Sequence, residues 1–219
     1  MQQPALTLDL LTEALDPHFL DVLGGFDCRG EENFPDWAKS VVLLGPKEPG
    51  FWAHLKAQPE WSGPDPVDQW SRRVIGRLAC DLGGKARFPF GGPPYHPFYS
   101  WALRTGHIWE SPVKLLVHGT QGLLVSIRGA LILPGVLEFQ PSAKPCDTCA
   151  KPCLTACPVS ALQSHGYDVA ACHAFLDQPA GSGCLGSGCL VRRACPVSQG
   201  YARLAEQSAY HMGRFHRAG

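Results

Sequence analysis

The sequence predicts an α+β fold in two parts. A small mixed domain occupies residues 1–140, and a lobe held together by its cysteines and what they bind occupies residues 141–219. Three observations predict this. Apolar residues make up 45% of the 219-residue chain, enough to bury a core. Stretches with helical and strand periodicity alternate without a regular βαβ rhythm up to about residue 133. Beyond that point the apolar pattern fades, and eight of the ten cysteines fall between residues 146 and 195. Gly and Pro, at 24 and 20 residues, are about a fifth of the chain and predict much irregular backbone between the elements.

The elements follow in order. Leu8, Leu11 and Leu15 recur on one helical face, with Thr7 as N-cap and Asp9 in the first turn; Pro17 interrupts the segment and Gly24-Gly25 closes it. Ser40 to Leu44 is a continuous apolar run ending in Gly-Pro, the pattern of a buried strand. Residues 46–64, rich in Pro, Gly and Trp, read as loop. Asp65-Pro66 supplies an N-cap and first helical residue, and Val67, Trp70, Val74 and Leu78 continue at helical spacing to Gly83-Gly84. Residues 89–98, PFGGPPYHPF, are irregular, and a short helix runs from Phe98 to Arg104 and stops at Gly106. Residues 113–117 and 123–133, separated by HGTQG, read as a hairpin with Gly129 at a bulge. The domain boundary is expected near residues 134–145, and the tail from Tyr201 to Phe215 reads as a last helix.

Composition narrows the functional classes. Lys plus Arg equals Asp plus Glu at 19 each, so the basic excess with which phosphate-neutralising proteins grip nucleic acid is absent, and no nucleic-acid partner is favoured. The first sixteen residues, MQQPALTLDLLTEALD, lack the basic and apolar regions of a signal peptide, and no apolar run approaches the ~20 residues needed to span a bilayer. A cytoplasmic, reducing setting is expected, in which grouped thiols serve as metal ligands more often than as disulfides.

Residues 145–158, PCDTCAKPCLTACP, give Cys-x2-Cys-x3-Cys-x3-Cys-Pro. The bacterial ferredoxin run is Cys-x2-Cys-x2-Cys-x3-Cys-Pro, whose fourth cysteine serves a neighbouring cluster. The extra residue here lies between the second and third cysteines and is expected to widen the loop without losing a ligand. A second group, Cys172, Cys184, Cys189 and Cys195, also ends in Cys-Pro-Val-Ser. By the crossed logic of ferredoxins, Cys146, Cys149, Cys153 and Cys195 hold one [4Fe–4S] cluster, and Cys157, Cys172, Cys184 and Cys189 hold the other. Two structural zinc sites in a zinc-stabilised interaction module are the alternative, since four thiolates also suit zinc.

The order of these features resembles the epoxyqueuosine reductase family of cobalamin-dependent iron–sulfur enzymes, and more distantly the reductive dehalogenases. The residues that carry the resemblance are Gly25-Phe26-Asp27, SVVLL, ALRTGHIWESPVKLLV, CDTCAKPCLTACPVSAL, DVAACHAFL and the final Cys-Pro. It implies a nitroreductase-like, cobalamin-binding N-terminal domain fused to a ferredoxin-like domain whose two clusters feed single electrons to cobalt. Where the family carries its general-acid Asp in a short Asp-Thr-Ala-Pro stretch, residues 91–97 read GGPPYHP, with no acid. Tyr95 and His96 in that loop, and His107 and Trp109 beyond it, are the candidates to face a cofactor on this domain. Tyr95 and His96 suit proton donation or axial coordination, and equally the plain role of tethering a Pro-rich loop.

The functional expectation is an iron–sulfur redox protein that passes single electrons to a partner protein or to a ligand on the N-terminal domain. A cobalamin-dependent reductase is the alternative within the same scaffold. Of the remaining groups, Cys80 among Leu78, Ala79 and Leu82 reads as a buried inert thiol, and nothing marks Cys28 as activated. His118 reads as a solvated turn residue, and His173, next to Cys172, as a donor to a cluster sulfur. Trp37, Trp52, Trp61, Trp70 and Trp101 read as core or pocket lining.

Overall fold

A computed structural model describes residues 6–217 of the protein and contains both helices and strands. In chain order the elements are α1 (Leu8–Leu15), β1 (Leu20–Asp27), β2 (Ser40–Pro46), α2 (Phe51–Lys56), α3 (Pro66–Asp81), β3 (Lys85–Arg87), α4 (Phe98–Arg104), β4 (Ile108–Glu110), β5 (Leu116–His118) and β6 (Gly129–Leu133). The cysteine-rich part follows with β7 (Leu162–Gln163), β8 (Gly166–Tyr167), α5 (Val169–Leu176), α6 (Ser182–Ser187), α7 (Leu190–Ala194), α8 (Pro196–Gln199) and α9 (Ala205–Arg217). The chain divides into two compact units: Met1–Ile108 with Ser126–Ser142, and Trp109–Val125 with Ala143–Gly219.

Unit 1 is built on an antiparallel sheet with strand order β1-β2-β6-β3. β2 is buried at every position, as its unbroken apolar run requires of a strand that has a neighbour on each edge and cover on both faces. α1 is capped as expected, the Thr7 hydroxyl accepting from the Leu10 N–H at 3.3 Å, with Leu11 and Leu15 buried. α3 starts at Pro66 and buries Val67, Trp70, Val74, Ile75 and Leu78 on one face. The Asp65 side chain makes no capping bond; its carbonyl instead accepts from Asp68 and Gln69 N–H, both at 3.0 Å.

Several expectations are corrected. The stretch that ends at Gly24-Gly25 is a strand from Leu20 onward: a short 3-10 turn over Asp16–His18 and a left-handed Phe19 (φ 51°) redirect the chain. Gly25 does not end an element; it sits within β1, where a Cβ would lie 2.5 Å from the Phe139 ring. Residues 46–64 are not all loop, because α2 buries Phe51, Trp52 and Leu55. The 113–133 hairpin does not form. β5 pairs with β4, while β6 joins the main sheet between β2 and β3. Gly129 is paired in an unbroken register opposite Leu44, and it is small because Ile75 of α3 crosses it, 3.0 Å from where a Cβ would stand. The register shift falls in β1, between Val22 and Gly24.

Unit 2 shows why residues 109–125 group with the cysteine segment. Val113, Val117 and Leu123 form one buried cluster with Leu162, Val191, Cys153 and Cys195, against which Trp109 and Leu115 also pack. Short apolar elements thus supply the wall that the cysteine loops lack. His118 is not solvated: it is 6% exposed, and its Nδ1 accepts from the Thr120 and Gln121 N–H groups, both at 3.3 Å. The tail helix begins four residues later than expected, at Ala205.

Candidate metal centre

All ten cysteines are free thiols. Their place in unit 2 follows from the local backbone. Cys146 and Cys149 lie on the loop before a 3-10 turn, Pro152–Leu154, that carries the buried Cys153, and Cys195 lies between α7 and α8. Burial pushes the Cys146 thiol up, with the neighbouring Cys195 and Cys149 adding to the rise and Lys144 opposing it. Burial likewise raises Cys153, again with Cys146, Cys195 and Cys149 as thiol neighbours. These four thiols therefore share one environment.

The other four share a second. Burial raises Cys172, whose thiol neighbours are Cys189, Cys157 and Cys184. It also raises Cys184, where Cys189 and Cys157 are again the thiol neighbours. Cys157, Cys172, Cys184 and Cys189 line a single recess with Leu162, Phe175 and Met212. The residues on either side of Cys157 thus take the chain from one thiol group to the other, and Cys195 returns it. Among the described residues, no three His, Cys, Asp or Glu side chains converge tightly enough to hold a single metal ion.

The extra residue of the first run has a definite place. Lys151 adopts a left-handed conformation (φ 57°, ψ 48°), and its N–H donates to the Cys149 sulfur at 3.3 Å before Pro152 opens the 3-10 turn. A β-branched side chain is a poor fit to that conformation, whereas glycine takes it freely. Lys151→Val is expected to lower the stability of unit 2 by about 1–2 kcal/mol, and Lys151→Gly to leave it near wild type. Denaturant unfolding of both variants checks this; equal losses would show that the left-handed turn is not the constraint.

The two Cys-Pro-Val-Ser repeats differ in backbone. After Cys157 the chain makes a non-helical turn, with Ser160 at φ 51° and the Ala161 N–H donating to the Cys157 sulfur at 3.2 Å. After Cys195 the same four residues begin α8, the Gln199 N–H bonding to the Cys195 carbonyl at 3.1 Å. The Tyr167 hydroxyl is a further partner that sequence reading missed. It donates to the Cys172 sulfur, which works against the effect of burial on that thiol, and its ring stacks on Phe215 at 6.0 Å. His173 makes no bond to a cysteine sulfur among the described residues; its Nδ1 lies 3.1 Å from that of His216, whose Nε2 is 3.0 Å from Asp177.

The N-terminal candidates do not gather in unit 1. Tyr95 is 72% exposed, and the exposed His96 stacks on Trp101 at 5.7 Å. His107 is half-buried, its Nδ1 3.3 Å from the Ser142 hydroxyl, and burial holds its pKa below the ordinary value. Trp109 belongs to unit 2. Trp52, Trp70 and Trp101 are core, as expected, while Trp37 lies at the surface near Lys85. Of the two outlying cysteines, Cys80 departs from the buried setting expected of it. Cys80 is exposed on α3, and Cys28 is buried, its thiol pushed up to about 11 mainly by burial, with Glu31 and Asp27 adding.

No protein-family model, curated protein or solved structure matches the chain. Among the described residues, no helix is long and apolar enough to cross a membrane.

Proposed function

We propose that the protein is an iron–sulfur electron carrier whose unit 2 holds two [4Fe–4S] clusters and exchanges single electrons with a partner. One observation carries the reading: eight thiols fall into two neighbourhoods of four, and the membership is crossed. Cys195 shares one buried cluster with Cys153, against which Cys146 packs, with Cys149 as a further neighbour; Cys157 and Cys189 touch that cluster too, but line one recess with Cys172 and Cys184. The crossing is the feature that separates two-cluster ferredoxin runs from simple Cys₄ motifs.

The donor chemistry fits. Thiolates are the usual ligands of [4Fe–4S] clusters, one to each iron, so four grouped sulfurs need not converge on a point. A zinc ion needs all four within ~2.3 Å of one centre. When bound, the clusters supply one-electron oxidation and reduction. The chain's own part is to hold the sulfurs and set their surroundings. Val113, Val117, Leu123, Leu162 and Val191 pack around Cys153 and Cys195 and cover one side of the first group. N–H groups of Lys151 and Ala161 and the Tyr167 hydroxyl donate to cysteine sulfurs, and such bonds favour the reduced state and raise the potential. The resemblance to cobalamin-dependent reductases supports the cluster assignment. Cobalamin itself is left out of the proposal, because Tyr95 and His96 are exposed on a loop, and His107 and Trp109 fall in different units.

Metal analysis of protein purified without oxygen is the test. About eight irons per chain are expected. About two zincs with no iron would overturn the proposal and leave unit 2 a zinc-stapled module, whereas cobalt copurifying with the iron would reinstate the cobalamin reading.

A further inference from the structure

A recess of about 370 Å³ in unit 2 is lined by Ser187, Arg193, Ser198, Gln199, Arg203 and Ser208, and no Asp or Glu lines it. Ser208 is 7% exposed and Ser198 4% exposed. The Ser198 hydroxyl is buried with no hydrogen-bond partner. The hydroxyls of Ser187 and Ser208 likewise bond to no side chain or backbone group among the described residues. Buried polar groups are rarely left unpaired, because each loses its bond to water on folding and recovers nothing. The Ser198 hydroxyl is such a group on the wall of this recess, and the Ser187 and Ser208 hydroxyls stand beside it with no protein partner of their own among the described residues, an arrangement that points to something that completes them.

Arg193 is held in place and is not neutralised by the lining. Arg193 Nε donates to the Gly188 carbonyl at 3.1 Å and Nη2 to the Gly183 carbonyl at 3.5 Å, and Arg193 bonds to no carboxylate among the described residues. Arg203 Nη1 donates to the Leu124 carbonyl at 2.9 Å. Backbone carbonyls thus orient the guanidinium groups before any ligand arrives, which lowers the ordering cost of binding. Hydroxyl donors beside oriented guanidinium groups match the acceptors of a phosphoryl group.

We propose that this recess binds a phosphoryl oxyanion, with Arg193 as its charge partner and Ser187, Ser198 and Ser208 as hydroxyl donors. None of these residues is a thiol of either group, so the result stands apart from the metal analysis. The shared chemistry is that of free phosphate and of a phosphate monoester. The test is calorimetric titration of the full-length protein, as purified without oxygen, with inorganic phosphate and separately with adenosine 5′-monophosphate. Saturable binding is expected, weakened about fivefold by Ser208→Ala and more than about tenfold by Arg193→Gln. Tighter binding of the nucleotide identifies a monoester site, and equal or weaker binding identifies a site for the free anion. Because Arg193 also holds two carbonyls, the double variant Ser187→Ala/Ser208→Ala provides a test that leaves those bonds intact. No saturable heat from either probe up to about 10 mM, or wild-type affinity in the double variant, would overturn the proposal.

Discussion

Cys153→Ala protein, purified without oxygen, is expected to carry about four irons per chain in place of about eight, and unit 2 is expected to lose its cooperative unfolding. Cys153 is 6% exposed, and it stands at the centre of the first thiol group, with Cys146, Cys149 and Cys195 as neighbours. It also packs into the apolar cluster of Val113, Val117, Leu123 and Val191. The variant therefore removes a proposed ligand and opens a gap in the wall at the same place. Metal binding in small domains of this kind contributes on the order of 10 kcal/mol, which is comparable to the whole stability of a domain. A soluble variant with unchanged metal content and an unchanged unfolding transition would refute the ligand assignment. Cys153→Ser separates the two effects, since it keeps the volume while removing the thiolate. If Ser and Ala lose iron alike, the loss is one of ligation; if Ser retains it, packing is the cause.

Gly188→Ala should be the second most damaging change, although no ligand is altered. Gly188 ends α6 with φ 88° and ψ 165°, a conformation open to glycine and strained for other residues. A Cβ there would also stand 2.5 Å from the Ser208 Cβ, at the contact between α6 and α9. Backbone strain and overpacking together are expected to cost roughly 2–6 kcal/mol. The consequence for the site is specific, because Gly188 lies between Cys184 and Cys189, two members of the second thiol group. Iron content is expected to fall toward about four per chain while the first group is spared. A denaturation midpoint and iron content equal to wild type would show that the α6–α9 contact can shift to admit a methyl group.

How much of this was legible in the sequence differs element by element. The helix from Pro66 to Asp81 and the strand at Ser40 announce themselves because their apolar periodicity and their turn residues agree. β1 does not, because its glycines answer to Phe139, Thr105 and His107, residues at least eighty positions away, and only the packed chain reveals that approach. The 113–133 hairpin fails for a related reason. Two apolar runs joined by a Gly-containing turn carry no information about which partner wins, and the fully buried β2 offers β6 a longer register than β5 does. Cys80 departs from its expected burial because burial at one position of a helix depends on which face the rest of the chain covers.

For the candidate site, the crossed grouping of the thiols was an expectation by analogy with ferredoxin runs, whereas their number and spacing are fixed by the sequence itself. Spacing is a matter of short-range covalent geometry: a few residues between cysteines limit where each sulfur can reach. Tertiary structure alone decided what surrounds them. The apolar wall comes from residues 109–125, some thirty positions before the first thiol, and the Tyr167 donor and the serine-lined recess of Arg193 depend on elements that meet only after the chain has folded. Thiol spacing is a local property of the chain, whereas apolar cover, hydrogen bonds to sulfur and the burial of the unpaired Ser198 hydroxyl are properties of packing, and packing is written across the whole sequence.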